Sequence, residues 1–158
     1  MLIKEIRGWQ LSQLDKAISI FENVIAGVSD EDMRMLRDGE EGWTTLEVLC
    51  HLRDYEAVFL QRVRMTVQQD NPVLPSPDPE ILVFEKSYNE DDPQTVLADW
   101  KKLRQEQHGF LSACADDAWE RPAKHPRRGA FTLHDQLFLT VWHDTNHLEQ
   151  ILRILKES

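Results

Sequence analysis

His143 and His147 stand four residues apart in Trp142-His-Asp-Thr-Asn-His-Leu-Glu-Gln-Ile151, a segment whose apolar residues recur at helical spacing. On a helix that spacing sends both imidazoles out from one face. Neutral imidazole is a frequent metal ligand, so one helix offers two ligands to a divalent ion. A third has to come from another element. His51 is the best candidate, on a stripe with Glu47, Val48, Tyr55 and Val58, while His143 shares a stripe with Leu139, Thr140, His147, Gln150 and Ile151. Both stripes are mainly apolar, so both histidines are expected to face inward, as the ligands of a helix bundle do. Histidines on such faces also occur as hydrogen-bonded core residues. Spacing alone leaves the two readings open.

Two other metal chemistries are not expected. His143-Asp-Thr-Asn-His147 is a distant match to the His-Glu-x-x-His of zinc proteases, with Asp where the general base belongs. No further His follows it, only Glu149 and Glu157. A di-iron bundle needs paired Glu-x-x-His segments, and the sequence has none.

The elements that must position these residues are helical. A first helix is predicted from about Ile3 to Ala26, ended by Gly27, with a short turn over Ser29–Leu36. A second starts at Thr44, where Thr44 and Glu47 fit a capping box, and runs to about Val67. Four prolines between Asn71 and Pro79 break the pattern, and a connection of this length is expected to cross the molecule. Asp92 and Pro93 open the third helix, and Thr132 with Asp135 opens the last. No two-residue alternation calls for a sheet. The expected fold class is all-α, a four-helix bundle in a single domain over residues 1–158.

The net charge of -10, from 18 basic against 28 acidic side chains, argues against nucleic acid, whose phosphates must be neutralised. No apolar run approaches the roughly 18–20 residues that span a bilayer. Met1-Leu-Ile-Lys-Glu-Ile-Arg7 carries charges where a signal peptide is apolar, so a cytoplasmic location is expected. Cys50 and Cys114 are too few for a disulfide framework and are read as small hydrophobes.

Gly42-Trp-Thr-Thr-Leu-Glu-Val-Leu-Cys-His-Leu-Arg-Asp-Tyr-Glu56 resembles the start of the second helix in the DinB-like (YfiT-like) superfamily, where a Trp and a helix cap precede a metal-binding His. His125-Pro-Arg-Arg-Gly-Ala-Phe-Thr-Leu-His-Asp135 and the segment from Trp142 to Ile151 resemble that family's last loop and helix. The resemblance implies an up-down-down-up bundle with a long second crossover. It implies that His51, His143 and His147 hold one divalent ion, nickel or zinc, and that the protein forms homodimers. It also implies a metal-dependent enzyme working on small electrophiles, a transferase using a low-molecular-weight thiol, or else a hydrolase. A non-catalytic, metal-binding bundle is the alternative of a different class.

Glu47, Asp144, Gln150 and Tyr55 are the candidates for supporting the ligands or moving protons. Glu47 is expected to be consumed by its cap, and Asp144 to point off the ligand face, towards the surface or an interface. Trp43 and Trp142 are expected in the core rather than in a pocket wall. Arg121, Lys124, His125, Arg127 and Arg128 form a basic cluster that would attract carboxylates, or else a solvated loop. His108 and His134 have no partner at ligand spacing.

Overall fold

The structure is a computed structural model describing residues 2–156. Its helices are α1 (Leu2–Ile25), α2 (Asp30–Met35), α3 (Thr45–Gln68), α4 (Pro79–Glu85), α5 (Pro93–Ser112) and α6 (Leu133–Lys156). The starts lie where the sequence places them, because each has a side chain to satisfy a free N–H. Thr44 Oγ1 accepts from Glu47 N at 3.2 Å while Glu47 accepts from Thr44 N at 2.7 Å. Asp92 accepts from Thr95 N, and Thr132 with Asp135 repeats the reciprocal pattern. Gly27, with φ at +85°, takes the left-handed conformation just past α1.

The four long helices pack in the cyclic order α1–α5–α3–α6. Lys4 and Arg7 reach Asp116 beyond the end of α5, while Lys101 reaches Glu22, so α1 and α5 are antiparallel. Trp100 and Arg104 meet Glu56, and Glu106 meets Arg64 further along, so α5 runs parallel to α3. His51 meets His143 and Thr66 meets Gln136, which makes α3 and α6 antiparallel. The bundle is therefore up-down-down-up.

Parallel neighbours need a connection that returns the length of the bundle, and residues 69–92 supply it. Arg62 Nε donates to Pro75 O and the Tyr55 hydroxyl to Pro77 O, which straps the proline-rich stretch along α3. The stretch is not wholly irregular, since Pro79 becomes the first residue of α4 behind the cap Asp78. A small hairpin, β1 (Lys124–His125) with β2 (Gly129–Ala130), also departs from the sheet-free expectation. Two residues per strand are too few to show alternation. No described helix is long and apolar enough to cross a membrane.

The core has two main apolar parts. One gathers Ile18, Phe21, Leu49, Leu52, Trp100 and Ile151, the other Leu14, Leu60, Val63, Leu111, Leu133 and Leu137. Between them lies an ionic layer. Arg104, only 3% exposed, donates to Glu56 through Nε and Nη2 at 2.8 and 2.7 Å, and to Asp144 through Nη1 and Nη2 at 2.7 and 2.9 Å. It also donates to Leu14 O, and Trp100 Nε1 donates to Glu56. Burial pushes the Glu56 and Asp144 carboxyls up, against the pull of Arg104. Arg104→Ala leaves two carboxylates buried without a counter-charge. It is expected to lower the unfolding free energy by about 3–5 kcal/mol in urea denaturation. Asp144→Ala keeps the Glu56–Arg104 pair and should cost clearly less.

Candidate metal centre

The capping box fixes where α3 begins and sets His51 on the face turned to α6. The caps on α6 do the same for His143 and His147, which meet His51 from the antiparallel helix. His51 Nε2 and His143 Nε2 lie 2.9 Å apart, and one ligand atom from each of the three residues falls within 4.8 Å of the others. Imidazoles held at about 2.0–2.1 Å by one tetrahedral ion would stand roughly 3.3 Å apart, so the convergence fits a metal ligand set. No Asp, Glu or Cys among the described residues joins the group.

An aromatic wall surrounds the imidazoles. Tyr55 lies 4.5 Å from His51 and Phe59 lies 5.1 Å from His143, ring centre to ring centre. Trp43 sits 4.9 Å from His51 and stacks on His147. Burial holds the His51 pKa down to about 3, with the charge of His147 adding to the effect. Burial and the two neighbouring imidazoles push His143 well below its ordinary value. His147 is lowered by burial, against a hydrogen bond to Gln150. Burial holds all three in the neutral form, so each has one lone pair to offer, although His51 and His143 Nε2 stand at hydrogen-bonding distance from one another.

His147 has a fixed tautomer. Gln150 Nε2 donates to Asp38, which two bonds from Arg153 hold in place. Gln150 Oε1 is thereby turned to accept from His147 Nδ1 at 2.7 Å, which leaves Nε2 as the free nitrogen. His51 Nδ1 is sealed from solvent without a partner. His143 and His147 keep partial exposure, and His147 lines a cleft of about 490 Å³ with Trp43, Glu80, Glu149, Gln150 and Arg153.

The sequence profile of the DinB superfamily matches residues 13–151. The chain belongs to the DinB superfamily. Two relatives carry the name "putative metal-dependent hydrolase". One, from Oceanobacillus iheyensis, is 23% identical over 155 residues, covering 97% of this chain and 87% of its own. The other, YfiT of Bacillus subtilis, is 29% identical over 155 residues, covering 90% and 84%. The solved structure of YfiT, described as an unusual four-helix bundle, superposes with a TM-score of 0.90 at 24% identity, over 98% of this chain and 88% of that one. This DinB-superfamily chain thus shares that bundle.

The other expected residues fall variously. Glu47 is spent on its cap. Asp144 is not at the surface but 5% exposed and bound to Arg104. One residue step turns about 100° around a helix, and on α6 that step leads from the α3 side to the bundle axis. Trp43 borders the imidazoles, and Trp142, 51% exposed, lies outside the core. Arg121 caps the end of α3 through Thr66 O and Gln69 O, and His125 is buried against Phe131. His134 rests on Trp119. Cys50 is fully buried, and burial pushes its thiol far up, as expected for an inert hydrophobe.

Arg104, Glu56 and Arg62 are buried charges that no motif announces. Each is a charged residue at a core position of its helix period, and charges of opposite sign at such positions on two helices are the signal for a buried pair.

Histidines held neutral by the fold tie stability to pH. His51 titrates near 6.5 when unfolded and near 3 when folded, so the unfolded state takes up protons first as pH falls. Metal-free protein should be fully stabilised by this residue above pH 6.5 and lose that stability progressively towards pH 3. Urea denaturation across the window should show a shallower slope for His51→Leu.

Proposed function

We propose that His51, His143 and His147 hold one divalent ion, nickel or zinc, and that the protein is a metal-dependent enzyme transferring a small thiol to an electrophilic substrate. The observation that carries this reading is the convergence of three neutral imidazoles, with no fourth protein ligand among the described residues, beside an open cleft. Three-residue ligand sets with a free position are typical of catalytic rather than structural zinc. Bound there, a divalent ion would supply Lewis acidity and a nucleophile activated near neutral pH.

The chain's own groups provide orientation and a dry wall. Gln150 sets the His147 tautomer, and Asp38 with Arg153 keeps Gln150 from turning. Trp43, Tyr55 and Phe59 keep water from the imidazole flanks. Three nearby carboxylates are committed elsewhere, Glu47 to its cap, Asp144 to Arg104, and Asp54 to Arg53, Lys86 and Tyr88, while Glu80 and Glu149 line the cleft itself. A thiol that loses its proton on binding needs no side-chain base, whereas attack by water would draw on a cleft carboxylate such as Glu149. The hydrolase reading draws support from the names of both relatives and would use the same ligands and cleft.

Elemental analysis should give one divalent ion per chain. His51→Ala, His143→Ala and His147→Ala should each abolish tight uptake, and His108→Ala should not. Addition of 2-mercaptoethanol to cobalt-loaded protein should produce a thiolate charge-transfer band. Uptake without any thiol response would favour the hydrolase, and no uptake would sink both readings. Gln150→Ala should weaken metal affinity by about 10-fold or more, as loss of a ligand-orienting partner does.

A further inference from the structure

The cleft that His147 lines encloses about 490 Å³, within the range of roughly 300–1,000 Å³ that small-molecule sites occupy. It is open to solvent, and its wall is charged. Three carboxylates, Glu41, Glu80 and Glu149, stand there against a single guanidinium, Arg153. The charge of Arg153 is already met, because its Nε and Nη2 donate to Asp38 at 2.8 and 2.7 Å. No Lys or Arg among the described residues pairs with any of the three carboxylates. A solute entering the cleft therefore meets an excess of negative charge that the fold itself does not balance.

Glu80 is tied to the centre by geometry. It lies in the first turn of α4, and Trp43 Nε1 donates to its Oε2 at 3.2 Å. The same indole stacks on His147, with the rings 9° from parallel and their centres 6.3 Å apart. One indole thus separates the Glu80 carboxylate from the imidazole and holds one of its oxygens in place. The other oxygen accepts nothing from the described residues. Trp43 itself lines the cleft, and an indole is the aromatic side chain that attracts a cation most strongly.

We propose that the small molecule bound in this cleft carries a cationic group, an ammonium or a guanidinium, held by Glu80 with the help of Glu41 and Glu149, while its reacting end lies at His147. A divalent ion on the histidines would repel an ammonium placed beside it, so the two ends of the molecule are kept apart by the breadth of the indole. The proposal rests on the reading of the histidine cluster as the reaction centre for the orientation of that molecule. The preference for positive charge does not require the metal.

The test is isothermal titration of the full chain as purified, its metal content measured alongside, with hexane-1,6-diammonium, hexane-1,6-diol and adipate at low salt. The three probes share a chain length and differ in charge. The diammonium is expected to bind saturably, about tenfold tighter than the diol, with adipate weakest. Added salt should shrink the preference, because exposed charges are screened. Glu80→Gln keeps an acceptor for Trp43 and should weaken diammonium binding about threefold, and Glu80→Gln/Glu149→Gln about tenfold. Both positions are exposed, so the variants should fold. Asp99→Asn removes an equal exposed charge from α5 and should leave binding unchanged. On cobalt-loaded protein, 6-aminohexane-1-thiol should produce the thiolate band at lower concentration than 6-mercaptohexan-1-ol, and the double variant should erase the difference. No saturable binding of the diammonium, equal binding of diammonium and diol, or equal weakening by Asp99→Asn overturns the proposal and makes the cleft acids a solvated face. A thiolate band without charge preference removes the proposal and leaves the metal reading standing. Diammonium binding that depends on Glu80 in a protein that takes up no metal does the reverse.

Discussion

One guanidinium touches all four long helices. Arg104 belongs to α5, and its nitrogens end on Leu14 O of α1, Glu56 of α3 and Asp144 of α6. Apolar packing alone lets amphipathic helices slide past one another by a turn at little cost, because one layer of Leu and Ile resembles the next. A buried charge has no such tolerance, since a slip of one turn leaves ions unpaired. Arg104 thus sets the height of each helix against the others. Asp144 follows His143 directly and Glu56 lies little more than a turn beyond His51, so the contact that fixes the register also brings the imidazoles level.

The environment of those imidazoles has the same origin. An imidazole in water is a poor lone-pair donor below its pKa, because a proton competes for the nitrogen. Aromatic rings on three sides make the proton the less welcome guest, and the depressed basicity of His51 and His143 follows from burial before any other cause. Among the described residues, His147 is the one of the three whose second nitrogen meets a side chain, Gln150, that is itself held by the Asp38–Arg153 pair. The three histidines therefore differ in stiffness, with His147 the best defined.

Much of this is legible in the residues. Caps such as Thr44 with Glu47 and Thr132 with Asp135 are local devices, so they announce helix starts without knowledge of the fold. The His143/His147 pair and the inward stripe of His51 are equally local. The Arg104 layer is not, because its members come from three separate helices and each looks like a defect in an apolar stripe until the others are beside it. Asp144 lies inside rather than at the surface because α6 is covered on more than one side, so leaving the ligand face does not mean reaching water. Helix α4 and the small hairpin are hidden for another reason: seven residues that open on a proline and two pairs of residues are too short for a pattern to display a period.

The parallel pairing of α3 with α5 has a consequence in time. His51 and His143 are 92 residues apart in the chain, and between them lie the whole crossover, α5 and the hairpin. A ribosome adding about 5–20 residues per second would finish α3 several seconds before it makes the helix that completes the ligand set. During that interval the nascent chain offers only one of the three imidazoles, too few to capture an ion. On the reading of the three histidines as a metal centre, ion uptake would therefore follow the docking of α6.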